Sequence, residues 1–250
     1  MTLGLIVAVV VLFIAALGWL RIRIPRKPGL EGIESVEAAM AYDRISRWPQ
    51  FRLLRRLIVR QLGKYQPSGH LADIGCGPGL LTILIARSHP GLQILGVDTA
   101  GEMIRTATEN AAACGLSTRV KYRQGDVGNL PLDDHSLDFA VTTLSLHHWQ
   151  DPIRGLAEIH RALKPGGQLL LFDLRRDSRR CFLWLLTLAQ ALVVPKALRR
   201  ANEPLGSLLS SYTLPELDGM LARSPFKESR LMGSAGWMYG WCRKASEDAA

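Results

Sequence analysis

The chain has 250 residues, 48% of them hydrophobic, which is ample for a packed core and argues against disorder or a disulfide-stapled miniprotein. Its four cysteines, Cys76, Cys114, Cys181 and Cys242, stand far apart without C-x-x-C spacing, so a reducing compartment is expected, with neither a zinc site nor a disulfide framework. The net charge of +9 is concentrated, with +7 in residues 21–64 and +6 in residues 175–200, and each basic block adjoins an apolar run. Aromatic platforms interleaved with the basic residues are sparse, so nucleic acid is disfavoured as a partner and an anionic lipid surface is preferred.

The first apolar run, Leu3 to Leu20, has eighteen residues without a charge. As a helix it would rise roughly 27 Å, close to the ~30 Å of a bilayer core. Ile22 and Ile24 could extend it while Arg21 and Arg23 snorkel beside Trp19. A cleaved signal peptide is the competing reading, but no Lys or Arg precedes the run. Residues 1–24 are therefore expected to be a transmembrane anchor. Arg21, Arg23, Arg26 and Lys27 follow it and would orient a single-pass protein with its body cytoplasmic.

Residues 25–65 read as a helical cap, and alternating strand and helix patterns begin after it. Strand His70 to Ile74 leads into Gly75-Cys76-Gly77-Pro78-Gly79 and the helical run Leu80 to Ser88. Strand Gln93 to Val97 ends at Asp98, and an alanine-rich helix follows from Glu102 to Cys114. Strand Val120 to Arg123 leads to Gly125-Asp126, strand Leu137 to Thr142 precedes helix Ile153 to Leu163, and a Lys-Pro-Gly-Gly turn enters strand Gln168 to Asp173. This order predicts an α/β fold, a doubly wound parallel sheet with ligands held at the carboxyl ends of its strands.

Chemistry-bearing residues fall at those ends. Glycines at 75, 77 and 79 let backbone approach a ligand where a Cβ would collide. Asp98 lies nineteen residues after Gly79, a spacing that suits two ribose hydroxyls. Leu80 stands where a dinucleotide fingerprint would have its third glycine. Asp73, just before the loop, would repel a pyrophosphate but suits a ligand bearing an ammonium group.

The segment Leu71 to Gly79 resembles the nucleotide loop of class I S-adenosylmethionine-dependent methyltransferases. Gly96-Val97-Asp98 with Met103, and Gly125-Asp126-Val127, resemble that family's next cofactor segments. The stretches Leu130 to Phe139, Leu146 to Trp149 and Leu163 to Gly167 resemble its later ones, and the subgroup with ubiquinone and menaquinone ring C-methyltransferases is the most similar. The likeness covers roughly residues 66–174 and excludes the amino-terminal run. It implies a Rossmann-like seven-stranded sheet, completed by strands within residues 213–250, and S-adenosyl-L-methionine as cofactor. On it, Asp73 holds the methionine ammonium, Gly75, Cys76, Gly77 and Gly79 pack against the cofactor, and Asp98, with Thr99 beside it, takes the ribose. Met103, Asp126 and Val127 meet the adenine, and Leu144 and Ser145 line the transfer site.

A carbon or phenolic acceptor needs a base to take its proton, and His147 and His148 are the candidates, with His148 preferred. Tyr42-Asp43 resembles the part of the cap that closes over the cofactor, and Tyr212 is a further candidate. No Asn/Asp-Pro-Pro-Tyr/Phe follows strand four, which turns the reading away from nucleic-acid methylation toward a small lipophilic acceptor. A second apolar run, Cys181 to Val194, lies in a helical insert at 175–212 between Arg175, Arg176, Arg179 and Arg180 on one side and Lys196, Arg199 and Arg200 on the other. It is too short to span a bilayer, and lies in the interface or lines the substrate pocket. The alternatives to a membrane-anchored methyltransferase of this kind are a phospholipid N-methyltransferase and a non-catalytic membrane adaptor with a cofactor fold.

Overall fold

The structure is a computed structural model and describes residues 3–29 and 36–246. Residues 30–35 of the expected cap and the last four residues of the C-terminal segment lie outside the described residues. The helices α1 (Leu3–Trp19), α2 (Val36–Ser46) and α3 (Pro49–Gly63) precede a run of β1 (His70–Ile74), α4 (Leu80–Ser88), β2 (Gln93–Asp98), α5 (Gly101–Ala113) and β3 (Val120–Gln124). Then come β4 (Leu137–Thr143), a 3₁₀ turn (Leu146–His148), α6 (Pro152–Ala162) and β5 (Leu163–Leu174). The chain ends with α7 (Arg180–Leu192), α8 (Lys196–Arg200), α9 (Leu205–Ser210), α10 (Leu214–Arg223), β6 (Glu228–Gly233) and β7 (Trp237–Arg243).

The seven strands form one sheet in the order β3-β2-β1-β4-β5-β7-β6. The first five are parallel, and β7 runs antiparallel to both β5 and β6, so the sheet is mixed rather than wholly parallel. Alternate residues of the inner strands enter opposite apolar layers, as a strand's two-residue period requires. Ala140, Leu169 and Leu171 pack with Leu156 and Ile159 of α6 and Leu217 of α10. Phe139, Val141, Leu170 and Phe172 pack with Ile58 and Leu62 of α3 and Ile85 of α4. The strand order reverses between β1 and β4, which opens a crevice at their carboxyl ends.

The amino-terminal segment departs from expectation. No helix among the described residues is long and apolar enough to cross a membrane. At 17 residues α1 rises roughly 26 Å and stops at Trp19. Ile22 does not prolong it: its N–H donates to Ser178 O at 2.9 Å, Arg21 pairs with Arg179 as an antiparallel bridge, and Ile22 is buried. Residues 20–28 thus form an extended strap bound to the protein, and the expectation of a transmembrane anchor and a single-pass protein is overturned. The end of α1 rests on α7, where a Cβ on Gly18 would come within 3.1 Å of the Trp184 ring.

Helix α7 does not line the cavity described below, so it is not the pocket-lining helix of the second alternative. Phe182 packs edge-on against Trp237 with ring centroids 5.9 Å apart, and Gln190 Oε1 accepts from Leu205 N–H, so one side of the helix is docked. Trp184, Leu185, Leu188 and Leu192 on the other side are exposed. Three of the arginines before it are internal fasteners. Arg176 donates to Ile24 O, Ser211 O and both Glu216 oxygens, Arg175 pairs with Asp177 at 2.6 Å, and Arg179 caps Trp19 O while stacking on the Trp19 ring. Arg180, Lys196, Arg199 and Arg200 are exposed.

Candidate active site

The crevice beside β1 and β4 is a cavity of about 790 Å³, closed above by α2 and α3. Its floor is the loop between β1 and α4, and the loop's shape rests on glycine. Gly75 has φ +75°, and a Cβ there would collide with Ser145 Oγ; one on Gly79, also at φ +75°, would strike the Tyr122 hydroxyl. Gly77 N–H donates to Asp98 Oδ2 at 2.8 Å, and Ala100 N–H donates to Asp98 Oδ1 at 2.9 Å. The tip of β2 therefore holds the loop directly, and burial raises the Asp98 carboxyl above its ordinary pKa.

Asp73 lies at the inner end of this floor, 1% exposed, and accepts from the Thr82 hydroxyl at 2.5 Å. Among the described residues no Lys, Arg or His lies within ion-pair distance of it, and burial pushes its pKa up to about 7. A buried carboxylate beside a glycine-rich loop calls for a cationic group on the ligand. Around the rest of the wall stand Asp98, Thr99, Met103, Gly125, Asp126 and Val127 on one side and Leu144, Ser145 and His148 on another. Leu144 has φ +53°, an uncommon conformation for a residue with a branched side chain, and its N–H donates to Phe172 O at 2.8 Å. This bond couples the turn after β4 to the end of β5.

Most of the expected site residues meet at this cavity: Asp73, Gly75, Cys76, Gly77, Asp98, Thr99, Met103, Asp126, Val127, Leu144, Ser145, His148 and Tyr42 all line it. Gly79 lies just behind the wall, shaping the turn. Tyr42, from α2, covers the loop over Gly77, and burial raises its hydroxyl to about 12. His147 is not on the wall. Its ring is buried, with Nδ1 2.7 Å from Asp173 Oδ1, while its backbone N–H also donates to that carboxylate. Tyr212 is remote from the cavity too, with the Arg26 guanidinium 4.1 Å above its ring. Residues not singled out from sequence are Ser46, Phe51, Leu54, Arg55 and Ile58, which bring α2 and α3 onto the wall. Phe51, Leu54 and Ile58 follow helical spacing on α3, and Arg55 interrupts that apolar stripe; a charge inside a stripe was the available signal.

Comparison with known proteins agrees with this geometry. The methyltransferase domain family matches residues 72–171. A demethylmenaquinone methyltransferase of Porphyromonas gingivalis is 33% identical over 152 residues, covering 57% of this chain and 62% of that protein. The structure of a proposed S-adenosylmethionine-dependent methyltransferase from Methanococcus maripaludis superposes with a TM-score of 0.68 at 20% identity, covering 92% of this chain and all of the other. Phosphoethanolamine N-methyltransferase 2 of Haemonchus contortus, solved with S-adenosyl-L-methionine, has a TM-score of 0.65 at 16% identity over 85% of this chain and 58% of the other. The chain spans between 32% and 62% of the length of the first curated relatives it matches. The glycine cradle, the cation-seeking Asp73 and the acids at the tips of β2 and β3 suit S-adenosylmethionine, which supplies an electrophilic methyl group when bound. Residues 72–171 thus match the methyltransferase domain family, and the chain is similar in sequence to quinone methyltransferases.

Proposed function

We propose that the whole chain methylates a small lipophilic acceptor of the quinone class, taken from an anionic membrane surface on which the protein rests peripherally. The observation that carries this reading is the paired apolar surface of α1 and α7. Val11, Leu12, Phe13 and Trp19 from the first helix and Leu20 just after it, with Trp184, Leu185, Leu188 and Leu192 from the second, are all exposed. Soluble monomers rarely present so many large apolar side chains together. Arg180, Lys196, Arg199 and Arg200 beside them suit acidic headgroups. Helix α7 follows β5, whose carboxyl end lies at the same edge of the sheet as those of β1 and β4 that frame the cavity. The relatedness to a demethylmenaquinone methyltransferase supports the acceptor class.

Within the cavity, the four carboxylates of Asp73, Asp98, Glu102 and Asp126 favour a cationic cofactor. The cap residues Tyr42, Phe51 and Leu54 exclude water and offer an apolar flank for a flat acceptor. His148, exposed on the wall, accepts the proton that a phenolic or ring-carbon acceptor must lose. His147 acts behind it as a positioning residue, its ring fixed by Asp173 and 4.1 Å from the His148 ring.

The test uses vesicles of neutral and of acidic phospholipid, with Leu185→Asp/Leu188→Asp as the variant, because both side chains already face solvent. Parent protein should float with acidic vesicles and methylate a demethylated long-chain quinone embedded in them. The variant should lose both properties yet bind S-adenosylhomocysteine and methylate a water-soluble short-chain analogue normally. Undiminished vesicle binding by the variant would refute the membrane surface, and no methyl incorporation into any demethylated quinone would refute the acceptor class.

A further inference from the structure

The cavity wall carries four carboxylates but, among the described residues, one arginine and no lysine. Acids account for the ammonium, the sulfonium and the hydroxyl and amino donors of S-adenosylmethionine. None of them can receive its remaining charged group, the methionine carboxylate, which they repel. We infer that Arg55 receives this carboxylate, so that Asp73 and Arg55 together grip the zwitterionic end of the cofactor.

The placement of Arg55 fits the role. Ammonium and carboxylate sit on one carbon, so their partners must face the same end of the cavity. Asp73 is tied to Thr82 in the first turn of α4. Ile58, one turn after Arg55 on α3, packs in the same apolar cluster as Leu81, the neighbour of Thr82. Arg55 lines the same cavity as Asp73 and as Leu80 and Leu81, the first residues of α4. Its fork is also available. Nη1 donates to Ser46 O at 2.7 Å, and this is the one hydrogen bond of the guanidinium among the described residues. Among the described residues no carboxylate pairs with it, and Asp43 on the facing helix is taken by Arg47 and Asn110. Arg55 is half-buried, and burial lowers its pKa, as expected of a cation partly withdrawn from water without a partner. A fork held at one corner by a backbone carbonyl and open at the other is pre-set for bidentate carboxylate binding.

The test is titration calorimetry with two probes, S-adenosylmethionine and its decarboxylated form, which keeps the adenosine, sulfonium and ammonium. The parent protein should prefer S-adenosylmethionine by about tenfold or more, the worth of a charge-assisted bidentate contact. Arg55→Met should lose that preference or reverse it, since four acids then face the probe of higher positive charge. Its affinity for the decarboxylated probe should stay within about twofold of parent, and Arg55→Lys should recover part of the preference. Binding of the decarboxylated probe also reports that the variant is folded. An equal loss for both probes would overturn the proposal in favour of a purely structural tie between α2 and α3. Unchanged binding of both would overturn it as well, and a raised acceptor KM in that case would reassign Arg55 to the acceptor.

Discussion

Cofactor affinity should collapse on acidification through Asp73. Burial holds this carboxyl at about 7 in the free protein, against an ordinary value of 3.8, with the Thr82 hydroxyl pulling down and Asp98 pushing further up. An ammonium bound beside it favours the ionised form, so below pH 7 a proton must leave Asp73 before the cofactor is held. Each pH unit then costs about 1.4 kcal/mol, or tenfold in affinity. At pH 5 about one Asp73 in a hundred is ionised, and the dissociation constant should be about a hundredfold weaker than at pH 7.5. Above pH ~8 the cofactor's own α-amino group deprotonates, so affinity should peak between pH 7 and 8. Cys76 and Tyr122 nearby are both raised by burial and stay neutral across this window. Calorimetry with S-adenosylhomocysteine in buffers of different ionisation enthalpy reads affinity and proton release together. Asp73→Asn should bind weakly and without the one-proton slope. The stability sign runs oppositely: because the folded pKa is raised, parent stability relative to Asp73→Asn should fall as pH rises from about 4 toward 7. Affinity independent of pH between 5 and 7.5, or an identical slope in Asp73→Asn, would refute the assignment of the ammonium to Asp73.

Other perturbations separate the roles of neighbouring residues. Asp98→Ala should weaken cofactor binding at least tenfold, since each lost charge-assisted ribose contact is worth ~1.5–3 kcal/mol, and it also strands Gly77 N–H; calorimetry decides. Leu144→Gly should be more stable to urea than Leu144→Ala by about 1 kcal/mol, the reverse of the usual order, because φ at this position is positive. His148→Ala should change stability by less than ~0.5 kcal/mol and leave cofactor affinity intact while slowing methyl transfer by about a hundredfold or more. His147→Ala should instead lower stability by about 3 kcal/mol, because it leaves the buried Asp173 carboxylate without its ring partner; chemical denaturation distinguishes the two histidines.

The cofactor half of the site was legible because its residues sit on short loops at strand tips, where chain position and spatial position nearly coincide. Gly75 to Gly79, Asp98 and Asp126 needed only the alternation of strands and helices to be brought together. The outer half was not, since α2 and α3 reach the cavity by packing across the sheet, and the order of residues 36–63 does not say whether their inward face meets a cavity or solid core. The apolar stripe through Phe51, Leu54 and Ile58 reads equally well as core. The two histidines were adjacent in sequence and indistinguishable in chemistry. The 3₁₀ turn at Leu146–His148 parts them, sending one ring to Asp173 and the other to the cavity. The mistaken anchor had a different cause. Hydropathy registers that residues 3–20 are apolar, but the chain's exit at Trp19 is set by pairing with residues 178–179, more than 150 positions away.

That pairing also redefines the basic blocks. The +6 of residues 175–200 looked like a single headgroup-seeking surface, yet its first half is spent inside the protein. Arg176 joins the strap at Ile24 to Glu216 of α10, and Arg175 is neutralised by Asp177. From the other block, Arg26 donates to Ser210 O and to the carbonyl of His147. The family match ends at residue 171, before β5 does, and the arginines just beyond it fasten the strap and α7 to the domain. Arg26 carries that attachment to the residue next to His148. A force on the α1–α7 pair therefore has a short, hydrogen-bonded route to the cavity wall, through the strap and the His147 carbonyl rather than through the sheet. The strap, whose residues 20–24 were expected to belong to a membrane anchor, is instead the part of the chain that ties its exposed apolar surface to the turn carrying His148.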